Sequence, residues 1–186
     1  MGCEIDGGRR PLVLHDLIGP PQLAGLLVLA QRGCEELYSQ RNTRALLKAG
    51  AVEVGREYYP VVAVAHLAWI GSLVLLLPPE SRLSTPLLAA FVALQVVRYW
   101  AIGTLGPYWT HRIITLAGAP RIRRGPYRYT AHPNYAVSIG ETFLLPLAFG
   151  GWALALIMTA VWSAVISYKI VLEERALAQR TPLDAD

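Results

Sequence analysis

At 186 residues, 54% hydrophobic and 16% charged, with a mean hydropathy of +0.37, the chain is too apolar for a soluble domain of its size, which would carry about 25% charged residues. Its two cysteines, Cys3 and Cys34, exclude a disulfide framework, and neither stands in a metal-ligand pattern. A net charge of +4 in such a chain points first to basic cytoplasmic loops, not to nucleic acid.

Met1–Arg10 is polar, and no small-residue cleavage site follows the next apolar run, so no cleavable leader is expected. Leu17–Gln31 is the weakest candidate span. It contains Gly19-Pro20-Pro21 and lies beside His15 and Asp16, and its helix is expected to continue as an amphipathic stalk through Leu37 to about Arg44. Tyr58–Leu77 reaches the roughly 20 apolar residues that a crossing helix needs, with His66 inside it. Pro86–Leu105 does the same around Arg98. The long loop Gly106–Asn134 is the one place for a polar site of any size. Tyr135–Leu172 is about twice a span in length. Pro146 and Gly150-Gly151 break it, so it reads as a helical hairpin. The expected fold is all-α, a polytopic membrane bundle of about five transmembrane helices. A single domain occupies 1–186, with a cytoplasmic loop at 106–134 and a C-terminal hairpin at 135–178.

Charge asymmetry supports this count. Five spans place twelve Lys and Arg on one face: Arg41, Arg44, Lys48, Arg56, Arg112, Arg121, Arg123, Arg124, Arg128, Lys169, Arg175 and Arg180. The other face holds three, Arg9, Arg10 and Arg82. The excess predicts a multi-pass protein, expected in a bacterial inner membrane, with the long loop and the C-terminus in the cytoplasm.

Ionisable groups at membrane depth are costly, which makes them functional candidates. His66 reads equally as a bundle histidine or a substrate contact. Arg98 snorkels, pairs with Glu141, or serves a site. Glu141 is harder to dismiss and shares a helix face with Asn134, two turns away. With His66 and Arg98 it forms the candidate substrate-binding set. Lys169 and Glu173, spaced i,i+4, are a surface ion pair or part of a site.

The stretch Gly125-Pro126-Tyr127-Arg128-Tyr129, then His132-Pro133-Asn134-Tyr135, then a hairpin ending in Glu173-Glu174, resembles the isoprenylcysteine carboxyl methyltransferase family of integral membrane enzymes. Scattered positions in the N-terminal half, among them Gln31-Arg32, Glu35-Glu36-Leu37, Arg41-Asn42, Gly50-Ala51, Glu53, Gly55, Tyr59-Pro60 and His66, resemble a bacterial branch. That branch O-methylates alkylpyrone- or alkylresorcinol-type lipids. The resemblance implies S-adenosyl-L-methionine as cofactor, held by Gly125, Pro126, Tyr127, His132, Pro133, Tyr135, Glu173 and Glu174. It implies His132, Lys169 and Glu173 as the catalytic set, a lipophilic acceptor entering from the bilayer, and membrane lipids as surroundings. Neither nucleic acid nor metal is implied. Two positions depart from the family pattern. Lys169 stands where arginine is usual and cannot reproduce its bidentate fork, and Ala131 stands where an arginine usually precedes the histidine. Competing readings are an NADPH-dependent sterol-type reductase, which carries a related HPNY–GE pattern, a phospholipid N-methyltransferase, and a non-catalytic scaffold.

Overall fold

Pro20 and Pro21 open the first helix in positions where a missing amide hydrogen costs nothing. In the computed structural model, which describes residues 18–119 and 122–178, this helix, α1, runs without a break from Pro20 to Lys48. The helix therefore continues past the candidate span as expected and slightly beyond Arg44, but it is not the amphipathic stalk expected, since Arg32, Glu35, Ser39, Asn42 and Thr43 are buried while Leu37 is exposed. Cys3, Arg9, Arg10, His15, Asp16, Arg121 and Arg180 lie outside the described residues. The remaining helices are α2 (Tyr59–Leu76), α3 (Thr85–Leu105), α4 (Pro133–Ala148) and α5 (Trp152–Ala178).

Three stretches are long and apolar enough to cross a membrane: Arg56–Leu76, Thr85–Tyr108 and Trp152–Ala178. Their exposed faces carry large apolar side chains such as Leu67, Leu75, Val92, Val96, Leu156 and Ile157, as lipid contact requires. Of the five helices, α1 and α4 fall short of that standard for different reasons. Arg32, Glu35, Glu36 and Arg41 interrupt α1. In α4 there are only 16 residues, and the helix is the core of the bundle: Glu141, Thr142, Leu145 and Ala148 are at most 1% exposed.

At one end of the bundle the chain turns tightly. The Gly19 α-carbon lies so close to the Pro79 carbonyl that an added Cβ would stand 1.8 Å from its oxygen, so only glycine fits. The Gln22 side chain accepts from the Gly19 amide and donates to the Leu77 carbonyl at 2.7 Å, which closes the C-terminus of α2. The α4–α5 hairpin turns at Phe149–Gly151, with the Phe149 and Gly151 amides both donating to the Pro146 carbonyl. An apolar core of Val28, Trp69, Ile70, Leu73, Leu77, Phe91, Leu145 and Phe149 fills this half.

The opposite end gathers the α1–α2 and α3–α4 connections. The loop expected over 106–134 is in part a strand, and it pairs with the α1–α2 connection. Strands β1 (Val52–Val54) and β2 (Ile113–Thr115) run antiparallel with Val52 opposite Thr115 and Val54 opposite Ile113. Their β-branched residues suit the pleated conformation, but three residues are too few for period-2 patterning to stand out.

Between these ends a cluster of four buried charges joins α1, α3 and α4. The Arg98 guanidinium grips the Glu35 carboxylate with two bonds of 2.8 and 2.6 Å and lies 3.3 Å from Glu141. Arg32 donates to Glu35 at 2.7 Å and to Glu141 at 2.5 Å. Gln95 completes Glu141 at 2.9 Å, and Gln31 bridges Gln95 and Glu35. Two cations meet two anions, so the set is neutral, and all four residues are less than 9% exposed. Truncating one member leaves a buried charge uncompensated, at a cost of about 3–5 kcal/mol. Arg98→Met should therefore lower the melting temperature in detergent sharply, and Arg98→Met combined with Glu35→Met should recover part of the loss. A double variant as unstable as the sum of its singles would show that the cluster does not act as a unit.

Candidate active site

A partly open cleft of about 100 Å³ lies at the paired-loop end, between the start of α4, the end of α5 and the α3–α4 connection. Leu105, Tyr108, Trp109, Arg112, Ile113, Tyr127, Ala131, His132, Asn134, Tyr135, Glu173 and Leu177 are among the residues that line it. The local sequence shapes the part contributed by the start of α4. Pro133 fixes the first helical residue of α4, so His132 is held at the helix boundary and Tyr135 falls within the first turn. Upstream, Gly125 adopts φ +56°, and a Cβ there would press on the Thr104 hydroxyl at 2.5 Å. Glycine at this point lets Pro126–Arg128 form a 3₁₀ turn against α3.

Within the cleft the Tyr135 hydroxyl donates to the Glu173 carboxylate at 2.6 Å. The His132 ring stacks on Tyr135 with centroids 5.2 Å apart and planes 11° from parallel. Its Nδ1 is 3.9 Å from Glu173 and its Nε2 is 3.6 Å from Glu174, so the histidine sits between two carboxylates. Burial, aided by the Glu173 carboxylate, pushes the Tyr127 phenol above its ordinary range, so it remains a neutral donor. The Lys169 ammonium lies 5.2 Å from the centre of the Tyr135 ring and donates to the His111 carbonyl at 2.7 Å.

Of the two readings of Lys169 and Glu173, a surface ion pair or part of a site, the ion pair is not formed among the described residues. Lys169 is 6% exposed, and a buried ammonium needs an acceptor at hydrogen-bond distance. The His111 carbonyl provides it, while Tyr135 occupies Glu173.

Of the residues expected at the cofactor, Tyr127, His132, Tyr135 and Glu173 meet in the cleft. Gly125, Pro126 and Pro133 shape its wall without lining it, and Glu174 stands at its rim with its side chain 64% exposed. Arg98 and Glu141 are brought together, as one sequence alternative had it, but in the ionic cluster and not in the cleft. His66 is a third location. It lies edge-on between Trp69 and Trp162, centroids 5.3 and 4.7 Å away, and its buried Nε2 has no hydrogen-bond partner among the described residues. Trp162 precedes Glu173 by eleven residues on α5, about 16 Å along the helix, which sets His66 at another depth. Among the described residues no three His, Cys, Asp or Glu side chains assemble into a metal-ligand set.

Sequence reasoning passed over His111, Asn134, Arg32 and Glu35 as site or scaffold residues. Arg32 and Glu35, three apart on the helix that continues the weakest span, carry opposite charges at helix-pair spacing, and that was the available signal. For His111 no local signal existed. Tertiary contacts place it: its amide donates to the Ser39 hydroxyl at 2.7 Å and its Nδ1 lies 2.8 Å from Glu36. Asn42 holds the same loop by donating to the Gly106 and Trp109 carbonyls.

A helical membrane bundle with a carboxylate–tyrosine–histidine cleft at the end of its C-terminal hairpin defines the class of protein. A profile of the isoprenylcysteine carboxyl methyltransferase (ICMT) family matches residues 87–179, the segment that contributes α3, the cleft loop and the hairpin. The chain belongs to this family of membrane methyltransferases. An uncharacterized protein of Bacillus subtilis (strain 168), YpbQ, is 31% identical over 157 residues, covering 82% of this chain and 94% of its own length. An uncharacterized protein of Haemophilus influenzae is 24% identical over 160 residues, covering 83% of this chain and 93% of its own. No solved structure matches the chain significantly.

Burial pushes the His111 imidazole below its ordinary range. The Glu36 carboxylate opposes the shift, and the Lys169 and Arg98 cations add to it. The folded protein thus binds fewer protons at His111 than the unfolded chain does. Its contribution is fully present above about pH 6.5, the ordinary histidine value, and is lost as pH falls below it toward the depressed folded value. Melting temperatures in detergent between about pH 8 and about pH 5.5 should fall more steeply for the wild type than for His111→Gln. Parallel slopes would remove His111 as a source of acid sensitivity.

Proposed function

We propose that the chain is an S-adenosyl-L-methionine-dependent O-methyltransferase for a lipophilic acceptor. An alkylpyrone- or alkylresorcinol-type lipid is the first choice and an isoprenylated cysteine carboxylate the second. The observation that carries the reading is the Tyr135–Glu173 hydrogen bond with His132 stacked against it, in a cleft at the end of a membrane bundle. One domain over 1–186 serves the reaction, with the loop 106–134 and the hairpin 135–178 forming its cofactor part. Most basic residues of the described segments lie toward the cleft end, which supports a cytoplasmic orientation in an inner membrane.

The residues present fit the cofactor chemically. Glu173 offers a carboxylate for an ammonium group, Tyr108 and Tyr127 offer ring faces for a purine, and the buried Asn134 Oδ1 has no hydrogen-bond partner among the described residues. In size the cleft is narrow, since nucleotide-sized ligands need about 300 Å³ or more, so its rim must part on binding. When bound, S-adenosyl-L-methionine supplies the methyl group as an activated sulfonium. The chain's own residues bind, align and exclude water. Tyr135 fixes the Glu173 carboxylate, and Gly125–Tyr127 with Pro133 and Glu174 complete the frame around it. Lys169 anchors the loop above the cleft through the His111 carbonyl and keeps a cation behind Tyr135. A carboxylate or acidic enol acceptor is already ionised near neutral pH and needs no strong base. For a phenol, with a pKa near ~10, the His132 imidazole would take the proton. Arg98 and Glu141 serve the acceptor indirectly, by holding α1, α3 and α4 around it. His66 would meet a distal part of the acceptor, not the reacting oxygen.

Purified protein incubated with labelled S-adenosyl-L-methionine and a panel of long-chain pyrones, resorcinols and a prenylcysteine analogue should label one acceptor class. His132→Ala and Glu173→Gln should lower the rate about 100-fold or more with folding retained. Tyr135→Phe should lower it about 10-fold, as loss of a hydrogen bond to a charged group implies. Protection against thermal unfolding by NADPH, and none by S-adenosylhomocysteine, would favour a reductase and overturn the assignment.

A further inference from the structure

Asn134 is the one residue of the His132–Tyr135 motif whose side chain the preceding reading uses only as a test of fit. It lines the cleft, its Oδ1 is buried, and that oxygen has no hydrogen-bond partner among the described residues. A buried carboxamide oxygen without a donor is rare in a folded protein, because its desolvation goes uncompensated. In the wall of a cleft this points to a ligand that brings the donor.

The position on α4 decides which part of the ligand that is. Consecutive helix residues point about 100° apart. Tyr135 directs its hydroxyl to Glu173, so Asn134 addresses a different sector of the same cleft. Glu173, a carboxylate, is the partner for a cationic group. Asn134 is neutral and offers an acceptor and a donor side by side, the pattern that matches the exocyclic amine and N7 of adenine. Aromatic rings of Tyr108 and Tyr127 line the cleft as well and suit the faces of a purine.

We infer that Asn134 recognises the adenine edge of the methyl donor: its Oδ1 accepts from the exocyclic amine and its amide donates to N7. This assignment of a specificity-determining residue rests on the proposed use of an adenosyl cofactor. It predicts selection at the base itself, since a site built to bond an amine strongly disfavours an analogue in which a carbonyl replaces it.

The test reads binding, without turnover. Calorimetry on the detergent-purified full chain compares S-adenosylhomocysteine with S-inosylhomocysteine, which carries a carbonyl oxygen in place of the amine. The wild type should favour the adenosyl ligand by at least ~10-fold. Asn134→Ala should weaken the adenosyl ligand about as much and leave the inosyl ligand unchanged, so that selectivity disappears. Asn134→Asp presents acceptors only, so it should keep the preference for the amine over the carbonyl, and loss of that preference would count against the inference. Equal binding of both ligands by the wild type overturns the inference while leaving the cofactor reading intact, as does selectivity retained in Asn134→Ala or equal weakening of both ligands. Failure of the wild type to bind S-adenosylhomocysteine overturns both. If Asn134→Ala does not fold, Asn134→Ser replaces it, and the wild-type preference remains a readout that needs no variant.

Discussion

Two arginines and two glutamates buried at the centre of a helical bundle set the terms for everything around them. Each charge alone would be prohibitive where water is scarce, and together they are neutral and hydrogen-bonded. The arrangement is directional. Arg98 of α3 holds Glu35 of α1 in a two-bond fork, and Arg32 of α1 reaches Glu141 of α4. Apolar packing between smooth helices tolerates rotation and sliding. A guanidinium fork does not, so the cluster fixes the rotation and depth of three helices relative to one another. Its charges also interrupt α1 as a span, whereas α4 falls short by its length of 16 residues, and α2, α3 and α5 supply most of the face that lipid would touch.

From this anchor the order passes to the cleft. One residue beyond Glu35, Glu36 meets the His111 ring, and Ser39 and Asn42 bind the backbone of the same loop. α1 thus holds the α3–α4 connection from one side. Lys169 holds it from α5, through the His111 carbonyl. The loop that walls the cleft is stretched between two helices whose positions are set elsewhere, and the cleft residues can then be brought together by a short motif on α4 and a glutamate on α5. The chemistry expected of this family asks for such rigidity, since alignment of donor and acceptor is the protein's main contribution to a displacement reaction.

Helices and their limits were legible because their signals are long. The apolar runs around His66 and Arg98, and the Pro146–Gly151 break in the C-terminal run, gave the architecture. The His132–Tyr135 motif and Glu173 gave four of the cleft's lining residues once Tyr127 is included. What escaped was whatever depends on contacts distant in sequence. Nothing local distinguishes an Arg98 that snorkels from one that meets Glu35 across 63 positions. Lys169 and Glu173 had the spacing of an ion pair, yet each found a nearer partner, the His111 carbonyl and the Tyr135 hydroxyl. The β1–β2 pairing was invisible because three-residue strands carry too little pattern.

The brevity of α4 has a bearing on where a greasy molecule would be met. Sixteen residues rise about 24 Å, against roughly 30 Å of hydrocarbon in a typical bilayer. With its hairpin turn level with one headgroup layer, its first residues stop short of the other. His132, Asn134 and Tyr135 then lie slightly sunken, at the depth where the polar end of an amphiphile already rests. Such a molecule would reach them by lateral drift alone, without its tail ever being lifted into water.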